Sequence, residues 1–183
     1  MFAEILTQRL KLRDLTDSDA ERIYRYRREP EVARFQAWGT ESVEALRLDI
    51  ISMSEQAEEN GSWYQLGIAL QSSGELIGDC GFRLLGAELR QAEVGITLAT
   101  EYQGRGYATE ALRALLHFLF VTRCMHRVFG SIDPRNVRSL RLMERVGMRK
   151  EAHFVRSLWF KGEWVDDVIF AVLASEWKGN STA

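Results

Sequence analysis

The sequence predicts a mixed α/β (α+β) fold, a mostly antiparallel central sheet of about seven strands with helices on both faces. Two observations predict it. Helical and strand-like segments are interleaved but never in strict βαβα alternation, which disfavours an all-parallel sheet. Turn signals also separate neighbouring strand segments. Ser72-Ser73-Gly74 and Lys161-Gly162-Glu163 are placed as hairpin connections.

The elements follow in order. In Thr7 to Leu15, Leu10 and Leu12 alternate with charges, the pattern of a half-buried strand. Thr16 and Asp19 form a capping-box-like start to a helix through Arg28, which Pro30 ends. Val43, Leu46, Ile50, Met53 and Ala57 recur at helical spacing and predict a helix from about Glu41 to Ala57. Asn60-Gly61 signals a turn. Trp63 to Leu70 and Leu76 to Leu85 read as paired strands, and Ala92 to Leu98 as a third. A helix from about Tyr107 to Phe120 precedes a short apolar strand, Val128 to Ile132. Arg138 to Val146 is helical, with Gly147 as its C-cap. His153 to Phe160 and Trp164 to Leu173 form a last hairpin, and Lys178 to Ala183 reads as a frayed tail.

Composition excludes several classes. With 183 residues, 46% hydrophobic and 27% charged, the chain suits one domain over residues 1–183 rather than a disordered or collagen-like one. A net charge of -2 argues against direct nucleic acid binding. Of the 24 basic residues 20 are Arg, which suits fixed phosphate contacts, although codon usage produces the same excess. No apolar run reaches the roughly 18 residues of a membrane span, and Met1-Phe2-Ala3-Glu4 lacks a signal-peptide pattern. Cys80 and Cys124 stand outside any CxxC pair and read as reduced thiols, so the expected location is cytoplasmic. His117 lies among Leu115, Leu116 and Phe118 and reads as packed. His126 and His153 make no ligand-spaced pair, so no metal is expected.

The stretch from Glu93 to Glu110 carries the most chemistry. A strand ends, a loop with Gly104 and Gly106 follows, and a helix begins. Backbone N–H groups at a helix start lack internal partners and carry partial positive charge, which makes an anion site. The glycines let the backbone approach a phosphate closely. A dinucleotide fingerprint would need Gly where Thr109 stands, and no Gly-Lys-Ser/Thr triplet marks a P-loop. A glycine-rich turn without a ligand is the plain alternative.

Gln103-Gly104-Arg105-Gly106-Tyr107-Ala108 matches Q/R-x-x-G-x-G/A. It resembles the acetyl-CoA pyrophosphate loop of the GCN5-related N-acetyltransferase (GNAT) superfamily. Thr7 to Arg13, Gly74 to Gly78, Ala92 to Gly95, and Asn136 to Ser139 with Met143 to Met148 resemble, in order, segments of its RimJ/RimL-like ribosomal-protein branch. The resemblance implies the GNAT fold and acetyl-CoA as co-substrate. It places Ile96, Thr97 and Leu98 where the strand backbone bonds the pantetheine arm, and Gln103, Gly104, Arg105, Gly106, Tyr107 and Ala108 around the pyrophosphate. Asn136 matches an Asn that bonds the pantetheine; equally, it caps the following helix. Trp38, Tyr24 and Phe35 fall where the family builds its acceptor pocket, and Trp38 is the expected substrate contact; aromatics there also suit a core.

Acetyl transfer needs a neutral amine, stabilisation of an oxyanion and an acid for the departing thiolate. Glu93 is the candidate base. It shares a strand face with Gly95 and Thr97, and burial in an apolar strand would raise its pKa. A salt-bridged Glu93 is the alternative. Many superfamily members carry a Tyr acid seven residues after the Asn, where this chain has Met143. Ser139 then matches the hydroxyl near the thiol in the RimL-like branch, or merely sits in a first helical turn. Tyr102 and Tyr107 are tied to the loop and suit the acid role less well. Arg138, Arg141, Arg145 and Arg149 recur at helical spacing, facing either a 3′-phosphate or solvent.

The expected activity is transfer of acetyl to a primary amine by direct attack in a ternary complex, with a protein N-terminal α-amine as acceptor. Alternatives are a small amine (polyamine, amino acid or antibiotic) and a non-catalytic acyl-CoA-binding domain. Trp159 and Trp164 read as interface or core, so a homodimer is among the expectations.

Overall fold

The computed structural model describes residues 3–36, 42–55 and 60–179. One eight-stranded sheet is built from β1 (Ile5–Leu6), β2 (Leu10–Asp14), β3 (Trp63–Leu70), β4 (Leu76–Leu85), β5 (Gln91–Leu98), β6 (Arg127–Ile132), β7 (Arg149–Phe160) and β8 (Glu163–Leu173). Their spatial order is β1-β2-β3-β4-β5-β6-β8-β7. Every pairing is antiparallel except β5 with β6. The strand beyond the expected seven is β1, two residues at the sheet edge. The helices are α1 (Ala20–Arg27), α2 (Pro30–Ala33), α3 (Val43–Glu55), α4 (Tyr107–His117) and α5 (Val137–Arg145).

Strand alternation sends successive side chains to opposite faces. On β4, Cys80, Phe82 and Leu84 enter the main core, where Ala111, Leu112, Leu115 and Leu116 of α4 and Leu142 and Met143 of α5 meet them. The intervening Asp79 faces the other way and bonds Tyr26 and Arg27 of α1. There α1 and α3 build a second, smaller core around Ile23, Tyr26, Leu46 and Ile50. Each fully buried Leu removes enough apolar surface from water to stabilise the fold by about 1.5–3 kcal/mol. Helices therefore cover both faces.

Several boundaries differ from expectation for local reasons. The first strand is confined to Leu10–Asp14, because a 3-10 turn at Asp17–Asp19 precedes α1. The Asp19 carboxylate accepts from the Thr16 backbone N–H at 2.8 Å, within the expected capping box of Thr16 and Asp19. Pro30 does end α1, but it also opens α2 as its first residue, where its missing N–H costs nothing. After α4 the chain widens into a π turn at Phe118–Thr122, with Arg123 N–H reaching Phe118 O. His117 is exposed rather than packed, because the buried face of α4 runs through Leu112, Leu115, Leu116 and then Leu119. Arg149 lies in β7, so the expected four-arginine helix face stops at Arg145. Glu41 and Ala57 lie outside the described residues.

The last hairpin turns through Lys161 (φ 49°) and Gly162 (φ 88°), the paired positive values of a tight two-residue turn. Trp159 and Trp164 face each other across it, 5.4 Å apart and edge to face. Both are more than half exposed, so they are not core residues.

Candidate active site

β5 and β6 run parallel only through Gln91↔Arg127, Ala92↔Val128 and Glu93↔Phe129. Beyond that pair the strands part. β5 continues to Leu98 and β6 to Ile132 with no ladder between them. The result is a fork whose base is Glu93. The β5 edge from Val94 to Leu98 has no strand on the β6 side, so its backbone can bond an extended ligand. Ile96, Thr97 and Leu98 all lie along this edge.

The loop after β5 leads into α4. Gly104 (φ 76°) and Gly106 (φ 83°) both occupy the left-handed region that favours glycine, and Gly106 caps α4. Gly104, Arg105 and Gly106 are exposed, whereas Tyr107 and Ala108 are half-buried in the first turn. The first-turn N–H groups of α4 thus border an open glycine loop, a geometry suited to an anion. Gln103 links the parts. Its Nε2 donates to Leu98 O at 3.0 Å, and its Oε1 accepts from Arg138 Nη1 of α5 at 2.9 Å. Arg138, Arg141 and Arg145 are all exposed, as the solvated-face alternative has it, and Arg138 also reaches the loop through Gln103.

The same loop is fastened from behind by a latch to the N-terminal segment. The Glu110 carboxylate accepts from the Thr7 hydroxyl (2.6 Å), the Arg9 backbone N–H (2.8 Å) and the Arg9 guanidinium (2.7 Å). Partial burial raises the pKa of this carboxyl. The Thr7 and Arg9 hydrogen bonds outweigh that and hold it below the ordinary value. The Arg9 guanidinium also lies over the Tyr107 ring, 4.4 Å from its centroid.

Glu93 is 8% exposed, but its surroundings differ from the expected apolar strand. Arg83, directly opposite on β4, donates to Glu93 Oε2 through Nε (2.8 Å) and Nη2 (2.6 Å). The guanidinium lies over Trp63 in turn, 5.3 Å from the ring. The ion pair corrects the premise of an isolated buried acid and matches the salt-bridged alternative. Four residues further along each strand, Asp79 pairs in register with Thr97 and binds Arg27 at 2.9 Å and Tyr26. Burial, then the Asp79 charge, push the Tyr26 phenol well above its ordinary pKa.

Asn136 caps α5, with Oδ1 accepting from Ser139 N–H at 3.2 Å. Ser139 lies half-buried in that first turn. Met143 is 4% exposed and lies within the main core, so the departure from the Tyr pattern is a packing residue. The Tyr102 phenol is held above its ordinary pKa, chiefly by its hydrogen bond with Glu75, and its ring lies 6.4 Å from Tyr107. Glu93 faces the α1 side of the sheet and Ser139 sits on α5 on the other side. Tyr24 and Phe35 are half-buried, and Trp38 lies outside the described residues.

Three partnerships were not evident from sequence: Arg83 with Glu93, Glu110 with Thr7 and Arg9, and Asp79 with Tyr26 and Arg27. The only available signal for the first was the hairpin register that puts Arg83 opposite Glu93.

A family model described as an acetyltransferase (GNAT) domain matches residues 9–149. The chain belongs to the GNAT acetyltransferase family. It is 27% identical to the uncharacterised N-acetyltransferase p20 of Bacillus licheniformis over 96% of this chain and 98% of that protein. It is 28% identical to the [ribosomal protein uS5]-alanine N-acetyltransferase of Escherichia coli, over 69% of this chain and 66% of that enzyme. A GNAT acetyltransferase crystal structure from Bacillus anthracis superposes with a TM-score of 0.85 at 27% identity, covering 95% of this chain and all of that one. Such relatives place this GNAT enzyme in the RimJ/RimL-like branch, as an acetyl-CoA-dependent acyltransferase. Among the described residues no helix is long and apolar enough to cross a membrane.

Proposed function

We propose that this enzyme moves the acetyl group of acetyl-CoA onto a primary amine, the α-amine of a protein N-terminus, by direct attack in a ternary complex. The fork between β5 and β6, opening beside the glycine loop, is the observation that carries this reading. It supports a thioester whose pantetheine lies along the β5 edge at Ile96, Thr97 and Leu98. Gln103, Gly104, Arg105, Gly106, Tyr107 and Ala108 then take the pyrophosphate. Asn136 serves both as the α5 cap and, through its amide nitrogen, as a pantetheine donor. The choice of acceptor draws on the uS5-alanine acetyltransferase relative. We also read residues 1–183 as one domain. The family match ends at 149, yet β7 and β8 complete the same sheet.

Within that frame the chain's own residues divide the chemistry. An ammonium has no lone pair, so the incoming amine loses a proton before or during attack. Glu93 receives it, directly or through a water, with Oε1 left open because Arg83 occupies Oε2. Arg83 fixes the orientation of the carboxylate through its two hydrogen bonds to Oε2. The unpaired β5 backbone supplies donors for the developing oxyanion. Ser139, at the start of α5, donates to the departing sulfur.

The test is an acceptor panel with acetyl-CoA, read by thiol release. Peptides with a free N-terminus should support release, and the same peptides blocked at the α-amine should not. Release with polyamines or amino acids alone would move the acceptor to small molecules. Binding of acetyl-CoA without release on any amine would leave a binding domain.

A further inference from the structure

The glycine loop has a mechanical weakness. The peptide joining Arg105 to Gly106 is followed by a glycine at φ 83° and lies two residues after another at φ 76°, so little steric resistance opposes its rotation. Its orientation matters, because a flip would present a carbonyl where an anion needs an N–H. The structure holds it one way: Arg9 Nη1 donates to Arg105 O at 3.1 Å. In a trans peptide the C=O and the following N–H point in opposite directions, and the chain has no cis peptide bond among the described residues. Fixing Arg105 O toward Arg9 therefore turns the Gly106 N–H to the far side. Arg9 is itself immobilised by Glu110, which takes its backbone N–H and its guanidinium, and by Tyr107 beneath the guanidinium plane. Thr7 completes the grip on Glu110. The latch joins the N-terminal segment to the first turn of α4 across about a hundred residues of sequence.

We propose that Arg9 is a positioning residue for the anion loop: by holding the Arg105–Gly106 peptide it sets affinity for the pyrophosphate-bearing half of acetyl-CoA, and it acts without touching the reacting atoms. The proposal rests on the assignment of that loop to the pyrophosphate. It distinguishes Arg9 from a stabilising surface ion pair, which would affect all ligands alike. It also distinguishes guanidinium geometry from charge, since the single nitrogen of a Lys lacks the separate Nε, Nη2 and Nη1 with which Arg9 spans Glu110 and Arg105 O.

Calorimetric titration of the full-length chain with CoA and with pantetheine, which lacks the pyrophosphate and nucleotide, tests both layers. Wild type should bind CoA far more tightly than pantetheine; equal affinities would refute the loop assignment itself. Arg9→Ala should weaken CoA about tenfold and pantetheine less than twofold, and Arg9→Lys should restore only part of the loss. Thr7→Val, which loosens Glu110 from the other side, should reproduce a smaller selective loss. Undiminished CoA affinity in Arg9→Ala would overturn the proposal, as would an equal loss for both ligands or full rescue by Lys. Thermal melts of each variant establish that the fold persists.

Discussion

Glu93 is nearly buried and salt-bridged, so its value as a proton acceptor depends on how the ion pair leaves its second oxygen placed. Glu93→Gln preserves shape and keeps an oxygen for Arg83, but it removes the proton acceptor. With Glu93 as base, kcat should fall by ~100-fold or more, the range general-base loss commonly covers. The acid limb of the pH–rate profile should flatten, with CoA affinity within about twofold of wild type. Thiol-release kinetics against pH, with calorimetry beside them, check this, and an unchanged profile would remove Glu93 from the mechanism. Asp79 makes the contrasting case. Its side chain and that of Arg27 are almost fully buried, and Tyr26 shares the carboxylate. Removing one partner of a buried pair strands the other, which typically costs about 3–5 kcal/mol. Asp79→Ala should lower the urea midpoint accordingly, and Asp79→Asn, still an acceptor for Tyr26, should lower it less. Equal losses in the two variants would show that the lost charge alone governs this site and that the Tyr26 acceptor and side-chain volume add nothing.

Between elements, two carboxylates tie corners of the fold together. Asp19 joins the start of α1 to β2 through Arg13 at 2.7 Å, and Glu110 joins α4 to the N-terminal segment. Burial pushes both upward, but the hydrogen bonds outweigh it and hold both below their ordinary pKa values. A depressed folded-state pKa means the unfolded chain binds protons first. Stability from these contacts is therefore complete at neutral pH and disappears as the pH falls through the folded pKa values. Asp166 and Glu176 are lowered too, but they are open to solvent and contribute little. The urea midpoint should stay level from about pH 7 to 5.5 and fall below about pH 4.5. Asp19→Asn should be less stable at pH 7 and show a shallower acid decline. An equally steep decline in that variant would shift the acid sensitivity elsewhere. These contacts also mark where sequence reading stopped. Alternation in Leu10–Leu12, the turn at Gly74 and the glycine loop are local patterns, and they located β2, the β3–β4 hairpin and the β5–α4 junction within a few residues. Arg83 with Glu93 and Arg9 with Glu110 depend on which strands lie side by side, information that no local period carries. His117 shows the same limit: its neighbours are apolar, yet the helix turns it outward.

For the molecule as a whole, the parallel β5–β6 junction is where two central strands part, closing at Glu93↔Phe129 and opening toward the loop. A sheet interrupted within its core gives up ladder hydrogen bonds and apolar contact there, so a ligand that fills the fork should add stability to the whole fold. The main core meets this junction through Ala92 and Val128, with α4 and α5 in the same core. Coupling to global unfolding follows if the protein unfolds in one cooperative step. A ligand at about 100 times its Kd adds about 2.7 kcal/mol when it binds only the folded state. For a chain of this size each kcal/mol raises Tm by roughly 2–4 °C, so CoA at that concentration should raise Tm by about 5–10 °C. Pantetheine at the same molar concentration should shift it much less, because it lacks the group the glycine loop is read to hold. Differential scanning calorimetry with each ligand decides the matter. A CoA shift near zero, or an equal shift with pantetheine, would mean that the fork and the loop do not act as one binding site.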